Sequence, residues 1–395
     1  MRYRKPNIFC YRIAQAVSFL VAKIIFKRKF ERNEIRDKKG PFVVIANHQA
    51  ALDFVNLVGA TKTPMTFVIS NSFYNTLPIK KFLNKLGVIP KQQFQTSVSD
   101  MRDIKAVVDE GHPLVIYPAG LMCEDGLSTP IPSATYKFLK WLDCDVYVAR
   151  TKGTYFAMPK WTKGMRRGRT YLDIYKLFEK EELSGLKVET IKDRVEDALL
   201  FDAYREQEEL KEKYAKNSNI EGLENVLYVC PCCKAEFSIK VKNKNIIYCE
   251  KCGFEHQSDE LGFLHKKTYV GNEIRYVSDW SKLVFENEKE KIRLGEKSIT
   301  AQTVIKMIDY KKHKFKVVGT GTVTLSDMGF LINGNINGRE EKIEVSIKGI
   351  PSLPFSPGKY FEIQNGKEIY RCVLNDGKLT MKFINKVKIF YEMNT

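Results

Sequence analysis

The sequence predicts an α/β chain: a layered fold on a largely parallel sheet with flanking helices, then a small cysteine-rich module, then a β-rich C-terminal domain. Three observations predict it. From residue 30 to about residue 175, five apolar strand-like runs alternate with helix-like segments. Five of the nine cysteines crowd into positions 230–252. From Lys266 onward, short β-rich runs are separated by Gly, Asn and Asp turns. At 395 residues the chain is too long for one ordinary domain. Its 44% hydrophobic and 28% charged composition excludes a disordered or fibrous chain. A formal net charge of +18 calls for an anionic partner: nucleic acid, an acidic membrane surface or a phosphorylated substrate.

The charge is concentrated at the start. Residues 1–40 hold twelve Lys or Arg against three acids, a local balance of +9. Within them, Ile8 to Phe26 is mostly apolar but is interrupted by Arg12, Gln15 and Lys23. A membrane-spanning helix wants roughly 20 apolar residues with almost no charge. No small-residue cleavage site follows to suggest a signal peptide. Residues 1–30 are therefore expected to form an amphipathic helix in a membrane interface, its basic flanks drawn to anionic headgroups.

The expected strands that follow are Phe42 to Ala46, Met65 to Ile69, Pro113 to Tyr117, Val146 to Arg150 and Tyr171 to Tyr175. Ser99 can cap a helix whose Met101, Ile104, Val107 and Val108 share one face and which Gly111 terminates. A long charged helix is expected over Ser184 to Tyr214 and a linker over Lys216 to Glu224. These bounds give an α/β domain at 31–215, a cysteine module at 226–262 and a β-rich domain at 266–395.

The cysteine module has a specific signature. CPCCKAEF at 230–237 and CEKCGFE at 249–255 place Cys230 with Cys233 and Cys249 with Cys252, fifteen residues apart. That is the spacing of a four-thiolate zinc ribbon, with Gly253 permitting the tight turn after the second knuckle. Four thiolates leave no open coordination position, so the expected Zn2+ is structural. Cys232 can compete with Cys233, but the Cys-x-x-Cys register favours Cys233. The remaining cysteines, Cys10, Cys123, Cys144 and Cys372, are scattered, as in a reducing compartment. This places the protein in the cytoplasm, peripheral to the inner face of the membrane. A zinc ribbon in a basic chain can also contact nucleic acid, but few aromatics here are arranged for stacking.

In the first half, FVVIANHQAALDFVNL at 42–57 carries the strongest chemical signal. A histidine just past a strand end and an aspartate five residues later can fold back on each other. The carboxylate then fixes one imidazole nitrogen and leaves the other to take a proton from a hydroxyl. Farther on are LGVIPKQQ, with Gly87, Ile89, Pro90 and Lys91, and LVIYPAGLMCEDG, with Tyr117, Pro118 and Gly120.

In order and spacing these stretches resemble the three motifs of the glycerolipid (1-acylglycerol-3-phosphate) acyltransferase family, over roughly residues 10–180. The first motif, Asn-His, four residues, Asp, is matched by Asn47, His48 and Asp53. The resemblance implies an acyltransferase-like mixed sheet and an acyl transfer from acyl-CoA or acyl carrier protein to a lysophospholipid or related alcohol. It implies His48 as general base, Asp53 as its orienting partner, and backbone amides around Pro118 to Leu121 as oxyanion donors. Substrate would be bound by Asn47, by Lys91 with Arg102 as second choice, and by Tyr117, Pro118 and Gly120.

The chain departs from the family where a glutamate is usual in the third motif: here stands Ala119, followed after Gly120 by Leu121 and Met122 rather than Thr-Arg. Glu124 and Asp125 are candidate substitutes from the same loop. The segment Lys152 to Arg169, with six basic residues and no acid, suits phosphate or headgroup binding, or a solvated surface. The tail, a run of short strands before KLTMKFINKVKIFYEM, resembles a pleckstrin-homology-like domain in strand count and order. Loss of the glutamate leaves open a non-catalytic lipid-binding scaffold, and the ribbon a nucleic-acid-binding protein.

Overall fold

The computed structural model describes residues 5–93 and 97–394. The chain divides into two compact units. The first is residues 1–123, 127–159 and 165–215; the second is residues 124–126, 160–164 and 216–395.

The first unit is a three-layer α/β structure. Helix α1 (Ile8–Ile24) leads through β1 (Lys29–Asn33) to β2 (Phe42–Ala46), α2 (Asp53–Val58), β3 (Thr66–Ser70), α3 (Asn71–Thr76), α4 (Lys80–Lys85) and β4 (Ile89–Lys91). There follow α5 (Val98–Asp109), β5 (Leu114–Ile116), α6 (Ala134–Leu142), β6 (Asp145–Lys152), α7 (Thr154–Ala157) and β7 (Tyr171–Phe178), then α8 (Lys180–Gly185), α9 (Val188–Leu199) and α10 (Ala203–Leu210). The sheet order is β1-β7-β6-β2-β5-β3-β4. The sheet is mixed: β2, β3, β4, β5 and β6 run parallel, whereas β7 runs antiparallel to β6 and carries β1 parallel to itself.

All five residues of β2 are buried, as a central parallel strand covered on both faces requires. Val43 and Ile45 point to one layer, with Ile104 and Val107 of α5, Leu139 of α6 and Val195 of α9. Phe42, Val44 and Ala46 point to the other, with Tyr11 of α1 and Leu57 of α2. The parallel pairing of β2 with β5 brings the two strands out side by side at the carboxyl edge of the sheet, where parallel α/β folds place their chemistry.

Several expectations need correcting. Ser97, not Ser99, caps α5, its hydroxyl accepting from the Asp100 amide at 3.0 Å. The expected helix over 184–214 is three helices, interrupted at Leu186 and Lys187, where the backbone is extended, and again before Asp202. Asp202 restarts the chain as a cap, accepting from the amides of Tyr204 and Arg205. Gly185 marks the first break in the sequence, but no Gly or Pro marks the second. At the N-terminus the helix spans Ile8–Ile24, and the basic Lys29–Asn33 is an edge strand.

In the second unit a four-stranded antiparallel sheet comprises β8 (Ile239–Lys242), β9 (Ile246–Cys249), β10 (Glu255–Ser258) and β11 (Leu264–Lys266). Helix α11 (Val277–Arg293) follows. Then come β12 (Ile299–Asp309), β13 (Lys314–Ser326), β14 (Gly329–Ile336), β15 (Arg339–Val345), β16 (Phe355–Ser356), β17 (Tyr360–Asn365), β18 (Glu368–Leu374) and the closing helix α12 (Leu379–Met393). These seven strands form one antiparallel sheet in the order β15-β14-β13-β12-β18-β17-β16.

The stretch expected to be a linker is packed instead. Asn217 is buried and donates to the Glu260 carbonyl, and the Ile220 amide donates to the Lys244 carbonyl. Trp280 of α11 is fully buried against Phe254, its indole N–H donating to the Val229 carbonyl at 2.9 Å. Glu288 of α11 and Lys386 of α12 form an ion pair at 2.9 Å with both side chains fully buried, and Tyr228 donates to Glu288 at 3.1 Å.

Candidate active site and metal centre

The end of β2 turns His48 out of the sheet and returns the chain as the first turn of α2, which begins at Asp53. Asp53 is fully buried. Its Oδ2 accepts three hydrogen bonds: from His48 Nδ1 at 2.9 Å, from the Gln49 amide at 2.7 Å and from the Ala50 amide at 2.9 Å. The five-residue spacing is therefore that of a carboxylate gathering the amides of the loop that presents its own histidine. With Nδ1–H donating to Asp53, Nε2 carries the lone pair.

The expected site residues divide into those that support the histidine and those placed elsewhere. Asn47 donates to the Thr151 carbonyl and accepts from the Thr151 amide, both at 2.8 Å, which fastens the loop to β6. Its amide group is thus committed to backbone rather than to a substrate. The Tyr117 ring lies 4.4 Å from the His48 ring, centroid to centroid. Its hydroxyl is buried without a hydrogen-bond partner, and burial, then the Asp53 charge, holds its pKa well above the usual 10. The Tyr117 ring thus packs against the imidazole.

Pro118 is buried, and Gly120 takes the left-handed φ of +68° that a side chain would strain. The Gly120 amide donates to the Tyr117 carbonyl at 2.9 Å, so that N–H is not an oxyanion donor in this arrangement. The Gly120 carbonyl accepts from Gln93.

Glu124 and Asp125, the candidate substitutes for a glutamate at Ala119, are bound to other side chains. Both belong to the second unit and are buried, Glu124 paired with Lys388 and Asp125 with Ser281. Burial works to raise the Glu124 pKa, but Lys388 and Lys160 outweigh it and hold the carboxyl below its ordinary value. Lys91, at the end of β4, is half-buried, and desolvation lowers its pKa against a small opposing pull from Asp100. Arg102 is exposed on α5.

Beside His48 lies a pocket of about 200 Å³. One wall comes from Ala46, Asn47, Ala119 and Leu121, and the other from Ser128–Ile131 with Glu196 and Leu199–Phe201. The second wall is held by a bridge between Leu127 and Asp202 and by the Ser128 amide donating to the Phe201 carbonyl. Sequence reasoning misses this wall, because its residues lie in loops around α6 and α9 with no chemical signature. It also misses Gln49, fully buried, whose side chain accepts from Thr154 Oγ1 and the Tyr155 amide and donates to Glu206. Glu206 in turn pairs with Arg150 at 2.9 Å. Burial raises the Glu206 pKa, with Arg150 pulling it back.

Residues 27–158 match the family model Acyltransferase. The matched segment runs from just before β1 through the histidine loop and β5 to α7, and so contains His48, Asp53 and Tyr117. No curated protein is significantly similar to the chain. Among solved structures, the 1-acyl-sn-glycerophosphate (LPA) acyltransferase PlsC from Thermotoga maritima is similar at a TM-score of 0.42 and 18% identity, covering 51% of this chain and 78% of that one.

In the second unit, the thiols of Cys230, Cys233, Cys249 and Cys252 lie within 4.8 Å of one another and could hold a metal ion. The Cys230–Cys252 and Cys233–Cys249 sulfur separations are both 3.7 Å. A tetrahedral Zn–S site with bonds of about 2.3 Å has sulfur–sulfur edges of about 3.8 Å, so the donor set fits. Ser238 Oγ sits 3.3 Å from Cys249 Sγ and supports it from outside. Cys232 is exposed and outside the group. The residue after each knuckle is left-handed: Gly253 at φ +74° and Lys234 at φ +59°.

Proposed function

We propose that the chain is a peripheral membrane acyltransferase that moves a fatty acyl group from acyl-CoA or acyl carrier protein to the hydroxyl of a lysophospholipid or related glycerolipid. The observation that carries this reading is the His48–Asp53 pair, anchored by two backbone amides and opening on a pocket.

In this mechanism His48 Nε2 takes the acceptor hydroxyl proton as the oxygen attacks the thioester carbonyl, and the buried Asp53 carboxylate stabilises the imidazolium that forms. The tetrahedral intermediate collapses, the C–S bond breaks, and the imidazolium returns its proton to the leaving thiolate. Free amides of the Pro118–Leu121 loop other than that of Gly120 are the candidate oxyanion donors. Lys91, with Arg102 nearby in sequence, is the candidate for an acceptor phosphate.

Membrane association is supported by α1. Tyr11, Ser18 and Ala22 face the protein, while Phe9, Val17, Phe19 and Leu20 are all more than half exposed. Among the described residues no helix is long and apolar enough to cross a membrane. The exposed apolar face of α1 suits an anionic interface, which we place at the cytoplasmic face. The four thiolates are read as a structural zinc ribbon, and the meander of seven strands closed by α12 as a pleckstrin-homology-like domain.

Ala119 favours one second reading, a lipid-binding scaffold that keeps the fold without turnover. The two are separated by incubating labelled acyl-CoA and acyl carrier protein thioesters with a panel of lysophospholipids and neutral monoacylglycerols. Product with any pair supports the enzyme and names its acceptor; lipid binding without product from any pair supports the scaffold.

A further inference from the structure

From Phe54 to Ser99 the chain has no acidic residue and carries five lysines, Lys62, Lys80, Lys81, Lys85 and Lys91. The middle of this stretch is the α3–α4 connection between the parallel strands β3 and β4. Strand β3 delivers α3 to the carboxyl edge of the sheet, the edge at which β2 delivers His48.

The connection is braced from within. Ser70 caps α3, accepting from the Phe73 amide at 3.1 Å. The buried Tyr74 donates its hydroxyl to Asn84, and Lys80 reaches Asn75 and lies 4.9 Å from the Tyr74 ring. That bracing leaves large apolar groups outside: Phe73 is 47% and Ile79 49% exposed. Helix α4 carries Phe82 and Leu83 yet has no buried residue. At the start of α5, just beyond the carboxyl end of β4, Val98 is 68% exposed. The C-terminal end of α4 meets the start of α1, where the Asn7 amide donates to the Lys85 carbonyl at 2.7 Å.

We propose that α3 and α4 form a second lipid-contact surface, separate from α1, that seats the His48 edge of the sheet on an anionic bilayer. Apolar side chains fixed outward on a braced segment, among lysines and without a single acid, have the chemistry of an interfacial segment facing anionic headgroups. Nucleic acid would engage the lysines but leave Phe73 and Ile79 in water. Continuity with the apolar outer face of α1 supplies the rest of the surface. The inference deepens the membrane reading given for α1. Its consequence is that a lysolipid acceptor reaches His48 without leaving the interface.

The test is co-sedimentation of the full chain with vesicles of phosphatidylcholine alone or mixed with phosphatidylglycerol. Phe73→Ser with Ile79→Ser is expected to lower partitioning about tenfold, given how much apolar surface each side chain presents. Lys81→Gln with Lys85→Gln is expected to lower it only on the anionic vesicles. Phe73→Trp, which keeps an apolar ring, is expected to retain binding and to gain fluorescence quenched by brominated lipid. Wild-type binding by the Ser pair, or a Trp at 73 that brominated lipid does not quench, overturns the α3–α4 surface. If Phe9→Ser with Leu20→Ser still abolishes binding in that case, the α1 reading stands alone. Failure of the wild type to bind either vesicle overturns both.

Discussion

Replacing Asp53 by Asn isolates the charge of the pair from its geometry. The asparagine carbonyl can still accept from the Gln49 and Ala50 amides, 2.7 and 2.9 Å from the present oxygen, so the loop keeps its shape. What is lost is a full negative charge 2.9 Å from His48 Nδ1, in a position where the carboxylate is fully buried. At an effective dielectric of about 20, that charge interacts with an imidazolium by about 6 kcal/mol. The amide dipole of Asn restores about 2 kcal/mol of hydrogen bonding, leaving about 4 kcal/mol. Because the imidazolium exists only once the proton has moved, the loss falls on kcat and amounts to about a thousandfold. Asp53→Ala should behave differently: it also strips two buried N–H groups of their acceptor, at about 1–3 kcal/mol each, and lowers Tm. The assay is initial-rate kinetics on the acceptor identified by the panel, with thermal melts of each variant. Asp53→Asn within threefold of wild-type kcat would refute the general-base argument.

Three further predictions follow from other parts of the structure. Cys233→Ser should lose the bound metal while Cys232→Ser keeps it, measured as metal per chain after purification, since only Cys233 lies in the four-thiol group. Burial lowers the Lys91 pKa, so if this lysine holds an acceptor phosphate, its charge and the acceptor affinity fade sooner as pH rises. Lys91→Arg should then shift the alkaline rise in acceptor KM to higher pH, and an unshifted profile would remove Lys91 from the site. Lys386→Met should destabilise the second unit by about 3–5 kcal/mol by stranding the fully buried Glu288. Lys386→Met combined with Glu288→Leu should recover most of that loss in denaturant melts.

What the sequence makes legible is what is local. The histidine and aspartate lie five residues apart, so one strand end and one helical turn suffice to join them. The four thiols sit in two short knuckles whose register singles out Cys233 over Cys232. Strand β2 is legible to the residue because a central strand buried on both faces is uniformly apolar. The edge strand β1 is not, because Lys29–Asn33 is mostly polar and takes its conformation from pairing with β7, about 140 residues away in sequence.

Nonlocal partners are what the sequence hides. Asn47 reads as a substrate ligand until Thr151 is seen to occupy both ends of its side chain, and Glu124 and Asp125 read as loop acids until Lys388 and Ser281 are found beside them. Helix α11 had a usable signal: Val277, Trp280, Val284 and Ile292 recur at helical spacing and are all buried. Its dense charge conceals that stripe.

The central claim is that His48 is the base of an acyl transfer. The most direct measurement is the rate of labelled acyl transfer by His48→Ala against the wild type, on the best donor and acceptor, with matched circular dichroism spectra. The account predicts a folded variant whose turnover falls by about a thousandfold or more, in the range expected for removal of a general base. A folded His48→Ala that transfers acyl groups at the wild-type rate would contradict it.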